Sequence, residues 1–398
     1  MIAGMTAPEP AEATALSGIR VVSLGQVLAA SYCATLLGEF GAEVIKVERP
    51  GSGDGLRGSI AFPQDNRGQL SVTCNLKSPD GIAVLKQLID TADILVENFR
   101  PGTLERLDLA PEDLRASNPG LIVVRISGYG QTGPYRERAG FDRVALSFGG
   151  LTALTGEADR PPVRPGYMIA DYGAGTFAAL GALLALQARQ RTGRGQDVDQ
   201  ALYEAVWRMS GTHVSAFGQT GRNRERSGNY FPGVVPAEQF QTADGEYLII
   251  NATTDRVFAR LAAAIGRPEL ADDPAYARGA QRREHHEELH AIIRAWVAER
   301  CLAECQATFD AHGVPAVKLY TTSDIAADPH YAAREQVLEV ESADFGTLLQ
   351  PGVVPRLTDT PGRVRRRAPL LGEHNGEIYG RLGLDADALA ELQESGAI

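Results

Sequence analysis

Between residues 19 and 127 the chain alternates short β-branched runs with helical segments, and this alternation constrains the fold more than any other feature. IRVVSL (19–24) reads as a strand. An apolar helix follows from Ala29 to Leu37, stopped by Gly38 and Gly41. AEVIKV (42–47), LSVTCNL (70–76), DILVENF (93–99) and LIVVRIS (121–127) repeat the strand signal. Ser78-Pro79-Asp80 starts a helix with Ser as N-cap and Pro at the first helical position. A short helix from Pro111 separates the last two strands. Strands and helices in this order predict an α/β domain whose open, mostly parallel Rossmann-like sheet carries helices on both faces.

From about Gly140 to His213 the pattern turns helical. A polar stretch with Gly and Pro punctuation, GQTGRNRERSGNYFPGVVP (218–236), reads as a linker. A second, smaller α/β unit follows, with strands around EQF and EYLIINA and helices from Asp255 to about His312. Residues 322–370 read as irregular, and EIYGRLGLDADALAELQESG as amphipathic helix. Neither an internal repeat nor a low-complexity tract is visible.

Net charge of -11 and the absence of a basic block exclude a nucleic-acid partner. Cys33, Cys74, Cys301 and Cys305 form no C-x-x-C and no disulfide framework, which suits a reducing cytoplasm. MIAGMTAPEPAEATA lacks the pattern of a signal peptide and reads as a disordered tail (1–15), with Met5 an alternative start. Met168 to Ala188 is nearly apolar and long enough to span a bilayer, but it contains Asp171 and several Gly, so it reads as a buried core helix rather than a membrane segment.

Gly53, Gly55 and Gly58 in VIKVERPGSGDGLRG (44–58) spell G-x-G-x-x-G. A dinucleotide fingerprint needs a helix opening directly after its glycines. Here Pro50 interrupts and SIAFPQDNRG reads as irregular, so the match is spurious by context. With Arg49 and Arg57 beside it, the loop is either a phosphate cradle made of backbone N–H groups or a flexible surface turn. His286-Glu287-Glu288-Leu289-His290 matches the zinc-protease pattern H-E-x-x-H. QRREH precedes it and no third ligand is evident, so Leu289, Ile292, Ile293 and Trp296 read as the packing stripe of an ordinary amphipathic helix. No metal is expected.

VENFRPGTLERL (96–107), RISGYGQTGP (125–134), PGYMIADYGAG (165–175), RTGRGQDVD (191–199) and PLLGEHN (369–375) occur in that order. This set resembles the family III CoA-transferases, the group that includes formyl-CoA transferase, carnitine CoA-transferase and the α-methylacyl-CoA racemases. The resemblance runs from about Leu16 to the C-terminus. It implies an Asp nucleophile, matched by Asp171, that passes through an aspartyl anhydride and an aspartyl-CoA thioester. From the residues alone, Asp171 stands where the chain enters an apolar helix (172–188), whose N–H groups would favour the carboxylate; capping the helix is the structural alternative. Gly173 and Gly175 would leave room for a thioester. The resemblance also implies CoA contacts at Val27, Arg49, Lys77, Asn98, Phe99 and Arg106, and a second acidic residue at Asp142 that orients the acceptor or tunes Asp171.

Departures from the family narrow the chemistry. Ala139 stands where some CoA-transferases have Lys, with Arg136 or Arg138 as substitutes. Leu28 replaces a Gln, and a glycine-run loop is missing near INATTD (250–255), both against oxalate and formate. Gly140-Phe141-Asp142 stands where the racemases have Gly-His-Asp, and Phe moves no proton, which disfavours the racemase alternative. The expectation is a CoA-transferase moving CoA from succinyl-CoA or another dicarboxylyl-CoA to a carboxylic acid, with CoA thioester as substrate and no permanently bound cofactor. Intramolecular transfer within a dicarboxylate and a non-catalytic CoA-binding subunit remain the alternatives. The implied organisation is a large domain from 16–217, a linker at 218–236, a small domain at 237–321, and a linker and return to the large domain over 322–398. It also implies an interlocked ring-like homodimer, with the GNYFPGVVP segment near the partner's site.

Overall fold

The computed structural model describes residues 14–398 apart from residue 232. Most of the expected tail therefore lies outside the described residues; Thr14 and Ala15 are placed, and the Thr14 N–H donates to Ser17 Oγ at 2.8 Å. The chain divides into two compact units. One comprises the residues up to Leu151 with Pro165–Thr212 and Pro329–Ile398, and the other Thr152–Arg164 with His213–Asp328.

In chain order the elements begin β1 (Arg20–Ser23), α1 (Ala29–Glu39), β2 (Glu43–Glu48), α2 (Ala61–Asp65), β3 (Leu70–Thr73), α3 (Pro79–Asp90) and β4 (Ile94–Glu97). Next come α4 (Thr103–Arg106), α5 (Pro111–Ser117), β5 (Ile122–Ser127), α6 (Asp142–Phe148), α7 (Leu151–Leu154), α8 (Ile169–Thr192), β6 (Asp197–Ala201), α9 (Leu202–Arg208) and α10 (His213–Thr220). The second unit continues with β7 (Ala237–Gln241), β8 (Tyr247–Asn251), α11 (Asp255–Ala264), α12 (Gly279–Glu284), α13 (His286–Ala298), α14 (Leu302–His312), β9 (Ala316–Lys318) and α15 (Thr322–Ala327). The chain ends with α16 (Pro329–Ala333), β10 (Val337–Ser342), β11 (Gly346–Pro351), α17 (Asn375–Gly380) and α18 (Ala386–Glu394), all in the first unit.

The first unit is built on a parallel six-stranded sheet of order β3-β2-β1-β4-β5-β6. Successive residues of each strand feed opposite faces, as the pleat requires. Val21, Val44, Ile94 and Val124 pack with α1 and α8, while Val22, Ile45, Leu95 and Val123 pack with α3 and α17. Every residue of β3, β4 and β5 is buried, as in parallel sheets covered on both sides. Ser78 caps α3 through the Gly81 N–H, and Pro79 opens it, as expected.

Several elements escaped the sequence reading, among them β9 and the short helices α15 and α16. β6, DVDQA, is polar and pairs with β5 alone, so it lacks the apolar run of an inner strand. α2 is a helix of five residues that tolerates Pro63 because the proline lies in its first turn. VLEVES and GTLLQP pair as an antiparallel hairpin inside the stretch read as irregular.

The PLLGEHN motif protects the edge of the sheet. β3 has no strand beyond it, and the returning chain supplies side chains to its backbone instead. Ser71 N–H donates to His374 Nδ1 at 3.1 Å, Thr73 N–H to Asn375 Oδ1 at 2.8 Å, and Tyr379 Oη to the Thr73 carbonyl at 2.7 Å. Unpaired strand edges invite mispairing, and side-chain partners remove that template.

The second unit holds the antiparallel sheet β7-β8-β9. α13 carries the H-E-x-x-H pattern. Leu289 and Ile293 are buried, with Ile292 and Trp296 packed against the same core. His286 stacks on Tyr230 at 4.5 Å, and buried His290 lies edge-on to Phe240 at 5.9 Å. Burial pushes the His290 imidazole down to about 4. Both rings thus serve packing. Among the described residues no group of three or more His, Cys, Asp or Glu is placed to hold a metal, and the four cysteines are free.

Candidate active site

Two clusters of the first unit bring the expected site residues together. The first sits at the carboxyl ends of β1 to β4. β1 is flanked by β2 on one side and β4 on the other, so the chain reverses its direction of progress there. Such a switch point leaves a crevice beyond the strand ends, where α/β proteins bind ligands. A cleft of about 140 Å³ lies at this place, lined among others by Gln26, Arg49, Lys77 and Phe99. It is smaller than a whole ligand pocket, so it suits one end of a long molecule. Arg49 and Lys77 are exposed, their charges in water at its rim.

Asn98 does not line the cleft; it ties the two loops of the switch together. Its Oδ1 accepts the Gln26 N–H at 2.9 Å and its Nδ2 donates to the Gln26 carbonyl at 2.7 Å. Val27 adopts positive φ (62°), a costly conformation for a β-branched residue. Its N–H points to Asp54 Oδ2 at 3.1 Å. Arg106 stands apart from the cleft lining, exposed on α4 and bonded to Thr103 Oγ1 at 2.9 Å.

The glycine loop does not present an empty N–H nest. Asp54 fills it: this buried carboxylate accepts the N–H groups of Val27 and Leu56 and pairs with buried Lys46 at 2.8 Å. Lys46 also donates to the Gly25 carbonyl and Ser31 Oγ, so all three of its protons are used. Arg57 is committed as well. It forks onto Glu48 at 2.8 and 2.5 Å, donates to the Pro369 carbonyl, and lies over the Phe62 ring. Of the two arginines beside the loop, only Arg49 faces the cleft.

The second cluster surrounds Asp171, the third residue of α8. The expectation that helix N–H groups would favour its ionised form is overturned. Asp142, first residue of α6, takes those groups instead: its Oδ1 accepts the N–H of Ala170 at 2.9 Å and of Asp171 at 3.4 Å. A carboxylate on the second and third N–H groups is the usual helix cap, here supplied from another helix. Burial, then the charge of Asp142, then that of Asp65, push half-buried Asp171 up to about 7. Asp142 Oδ2 is buried with no hydrogen-bond partner among the described residues.

Gly173 and Gly175 both face packed neighbours. A Cβ on Gly175 would come within 2.7 Å of the Ala29 carbonyl, so the glycine lets α8 cross α1 closely. Gly173 faces Met209 and Ala205 at 3.2 and 3.4 Å. Near the position expected for Lys, Arg138 lies over the Tyr135 ring at 3.6 Å and Arg136 faces Glu137, both exposed. Asp65, Tyr32 and Arg67 surround the same cluster and were not anticipated, because QDNRG carries no periodic or motif signal.

A cavity of about 760 Å³ elsewhere in the first unit contains none of the expected residues. The β10–β11 hairpin and the returning chain line it, with Arg356 paired to Glu335 at 3.0 Å within it. Size alone does not make it the reactive site, since the titratable groups with opposed environments gather around Asp171.

The model of CoA-transferase family III matches residues 16–375. Succinyl-CoA–D-citramalate CoA-transferase from Chloroflexus aurantiacus is 46% identical, covering 95% of this chain and 96% of that protein. The succinyl-CoA–L-malate CoA-transferase beta subunit of the same organism is 43% identical over 96% of this chain and 98% of its own. Among solved structures, a CAIB/BAIF family protein from Brucella suis superposes with a TM-score of 0.83 at 32% identity, covering 93% of this chain and 99% of that one.

Proposed function

The chain belongs to CoA-transferase family III, and from that premise we propose that it moves CoA from succinyl-CoA to a small dicarboxylic acid, with Asp171 as nucleophile. The observation that carries the residue assignment is the environment of Asp171. Its carboxyl is half-buried and held at a helix start whose N–H groups are already occupied by Asp142. A carboxylate so placed is destabilised as an anion and gains from becoming neutral, which is what acylation does. The substrate class is supported by the relatives, which are named for succinyl-CoA with D-citramalate or L-malate.

In the proposed sequence an Asp171 carboxylate oxygen attacks the thioester carbonyl carbon. The C–S bond breaks, leaving a mixed anhydride and CoA thiolate. The thiolate attacks the aspartyl carbonyl, succinate leaves as carboxylate, and Asp171 carries CoA as a thioester. The acceptor carboxylate then runs these steps in reverse. The cleft at the switch point would take the nucleotide end of CoA, with Arg49 and Lys77 toward its phosphates and Phe99 toward the base. Asp142 Oδ2, buried and unbonded, is available to a hydroxyl donor on the acceptor.

A homodimer fits the exposed side of α8, where Leu180, Leu183 and Leu184 are 49, 42 and 62% exposed. We place the enzyme in the cytoplasm. The malate relatives are named as subunits, which favours one further reading: a partner chain of different sequence. Intact-protein mass after mixing the single purified chain with succinyl-CoA tests both. Wild type should gain one CoA-sized adduct and Asp171→Asn none, with turnover of the variant reduced at least about a thousandfold. D-citramalate, L-malate, mesaconate, itaconate and glutarate would then be offered as acceptors. An Asp171→Asn variant that still forms the adduct would sink the assignment.

A further inference from the structure

Asp65 is a fully buried carboxylate that none of the steps above uses. Its own contacts are sparse. Tyr172 Oη donates to Oδ2 at 3.2 Å, and Gln64 Nε2 lies 3.5 Å from Oδ1. Its carbonyl accepts the Thr35 hydroxyl at 2.7 Å, which anchors the residue to α1. The nearby cation is not its partner: Arg67 binds Glu39 at 2.6 Å, Gln350 at 3.1 Å and the Pro351 carbonyl at 2.8 Å. Tyr32 of α1 packs edge-on against Tyr172 at 4.9 Å and closes that side. The groups around Asp65 are thus Tyr32 and Glu39 from α1, Arg67 behind it, and Asp171 and Tyr172 from α8, with Asp142 of α6 beyond.

We propose that Asp65 is a positioning residue for Asp171: through the Tyr172 hydroxyl it fixes the first turn of α8, and its buried negative charge drives Asp171 into its covalent, neutral forms. The inference rests on Asp171 being the nucleophile. The physical argument is linkage. Before reaction two carboxylates share a poorly solvated region; in the anhydride and in the thioester Asp171 carries no charge. The negative charge first resides on the departing CoA thiolate and then leaves with succinate, so the repulsion is relieved as the adduct forms. Whatever factor Asp65 adds to protonation of Asp171, it must add equally to acylation, because both remove the same charge. Consistent with this, Asp65 adds to the upward push on Asp171, and burial places Asp65 itself at about 6, below its neighbour.

Asp65→Asn keeps shape and accepts the Tyr172 hydroxyl but removes the charge. The expected result is a pair of equal shifts. The acid limb of kcat/KM should move down by about one pH unit, and the equilibrium ratio of CoA adduct to free enzyme at pH 8 should fall about tenfold. A structural role alone would lower activity without moving the acid limb. Folding is checked by near-UV circular dichroism. If Asp65→Asn does not fold, Asp65→Ser, which still offers Tyr172 a hydroxyl oxygen, takes its place, and carboxyl ¹³C titration reads the coupling directly: the Asp171 resonance should titrate about one unit lower in the folded variant than in wild type. An acid limb and adduct ratio that stay put in a folded Asp65 variant would overturn the proposal, as would an Asp171 titration unchanged by removal of the Asp65 charge. Adduct surviving in Asp171→Asn would overturn the nucleophile instead, and the carboxyl titration would still report the coupling.

Discussion

Asp171 occupies the third position of α8, where the dipole and unpaired N–H groups ordinarily favour a carboxylate. Its neighbours reverse the sign. Asp142 binds the N–H groups, and the remaining environment is burial plus two like charges. Stability should therefore depend on pH in a stated direction. Unfolded, the carboxyl loses its proton near pH 4; folded, it does so near 7. Across that window the folded state binds more protons, so this residue lowers stability as pH rises, with the full cost above 7. Asp171→Asn removes the cost. In urea denaturation the variant should exceed wild type at pH 8 by about 1–3 kcal/mol, allowing for solvent screening, and match it near pH 4. A variant equally stable at both pH values would contradict the environment described for Asp171.

Elements meet through a few fully committed polar groups. Lys46 on β2 and Asp54 in the glycine loop are both completely buried, and between them they hold the loop, the Val27 turn and the start of α1. Breaking such a pair strands a buried charge, whereas replacing both members by apolar groups is often tolerated. Lys46→Met should cost about 3–5 kcal/mol in chemical denaturation, and the double variant Lys46→Met/Asp54→Leu should recover most of it. Equal losses in the single and double variants would mean that the pair acts through shape rather than charge. The G-x-G-x-x-G spelling is explained at this scale too. Gly53 has positive φ (65°), and a Cβ there would meet Arg57 at 2.6 Å, so the glycine permits a turn that folds Arg57 back onto Glu48.

At the scale of the whole molecule, α8 is the one helix among the described residues long and apolar enough to cross a membrane by composition, yet its buried face is made mostly of small residues. Ala170, Ala174, Ala178, Ala182 and Ala185 pack into the sheet core together with Leu186, while Leu180, Leu183 and Leu184 face outward. The sequence reading of a buried core helix holds for one side of α8, and the other side is exposed. Large apolar groups exposed together mark an interface. If α8 lies between two copies of the chain, Leu184→Glu should shift the mass seen by light scattering after gel filtration from dimer to monomer. A dimer that persists unchanged at micromolar concentration would assign the stripe another role.

The sequence by itself determined the parallel sheet of the first unit, because each inner strand is an apolar run bounded by turn and cap residues, and that pattern has one economical solution. It also determined the family, through ordered motifs spread along the chain. Arg49, Lys77 and Phe99 were legible as a group through the resemblance, and the switch point brings them to one cleft. Short polar elements were not legible. β6 and α2 owe their conformation to neighbours rather than to their own composition, and Asp65 sits in an unpatterned stretch. Only the tertiary structure decided the electrostatics around Asp171. Local sequence predicts a helix start that favours the anion. The fold delivers Asp142 and Asp65, distant in sequence, to that start, and like charges in a poorly solvated region outweigh a helix end whose donors are already taken.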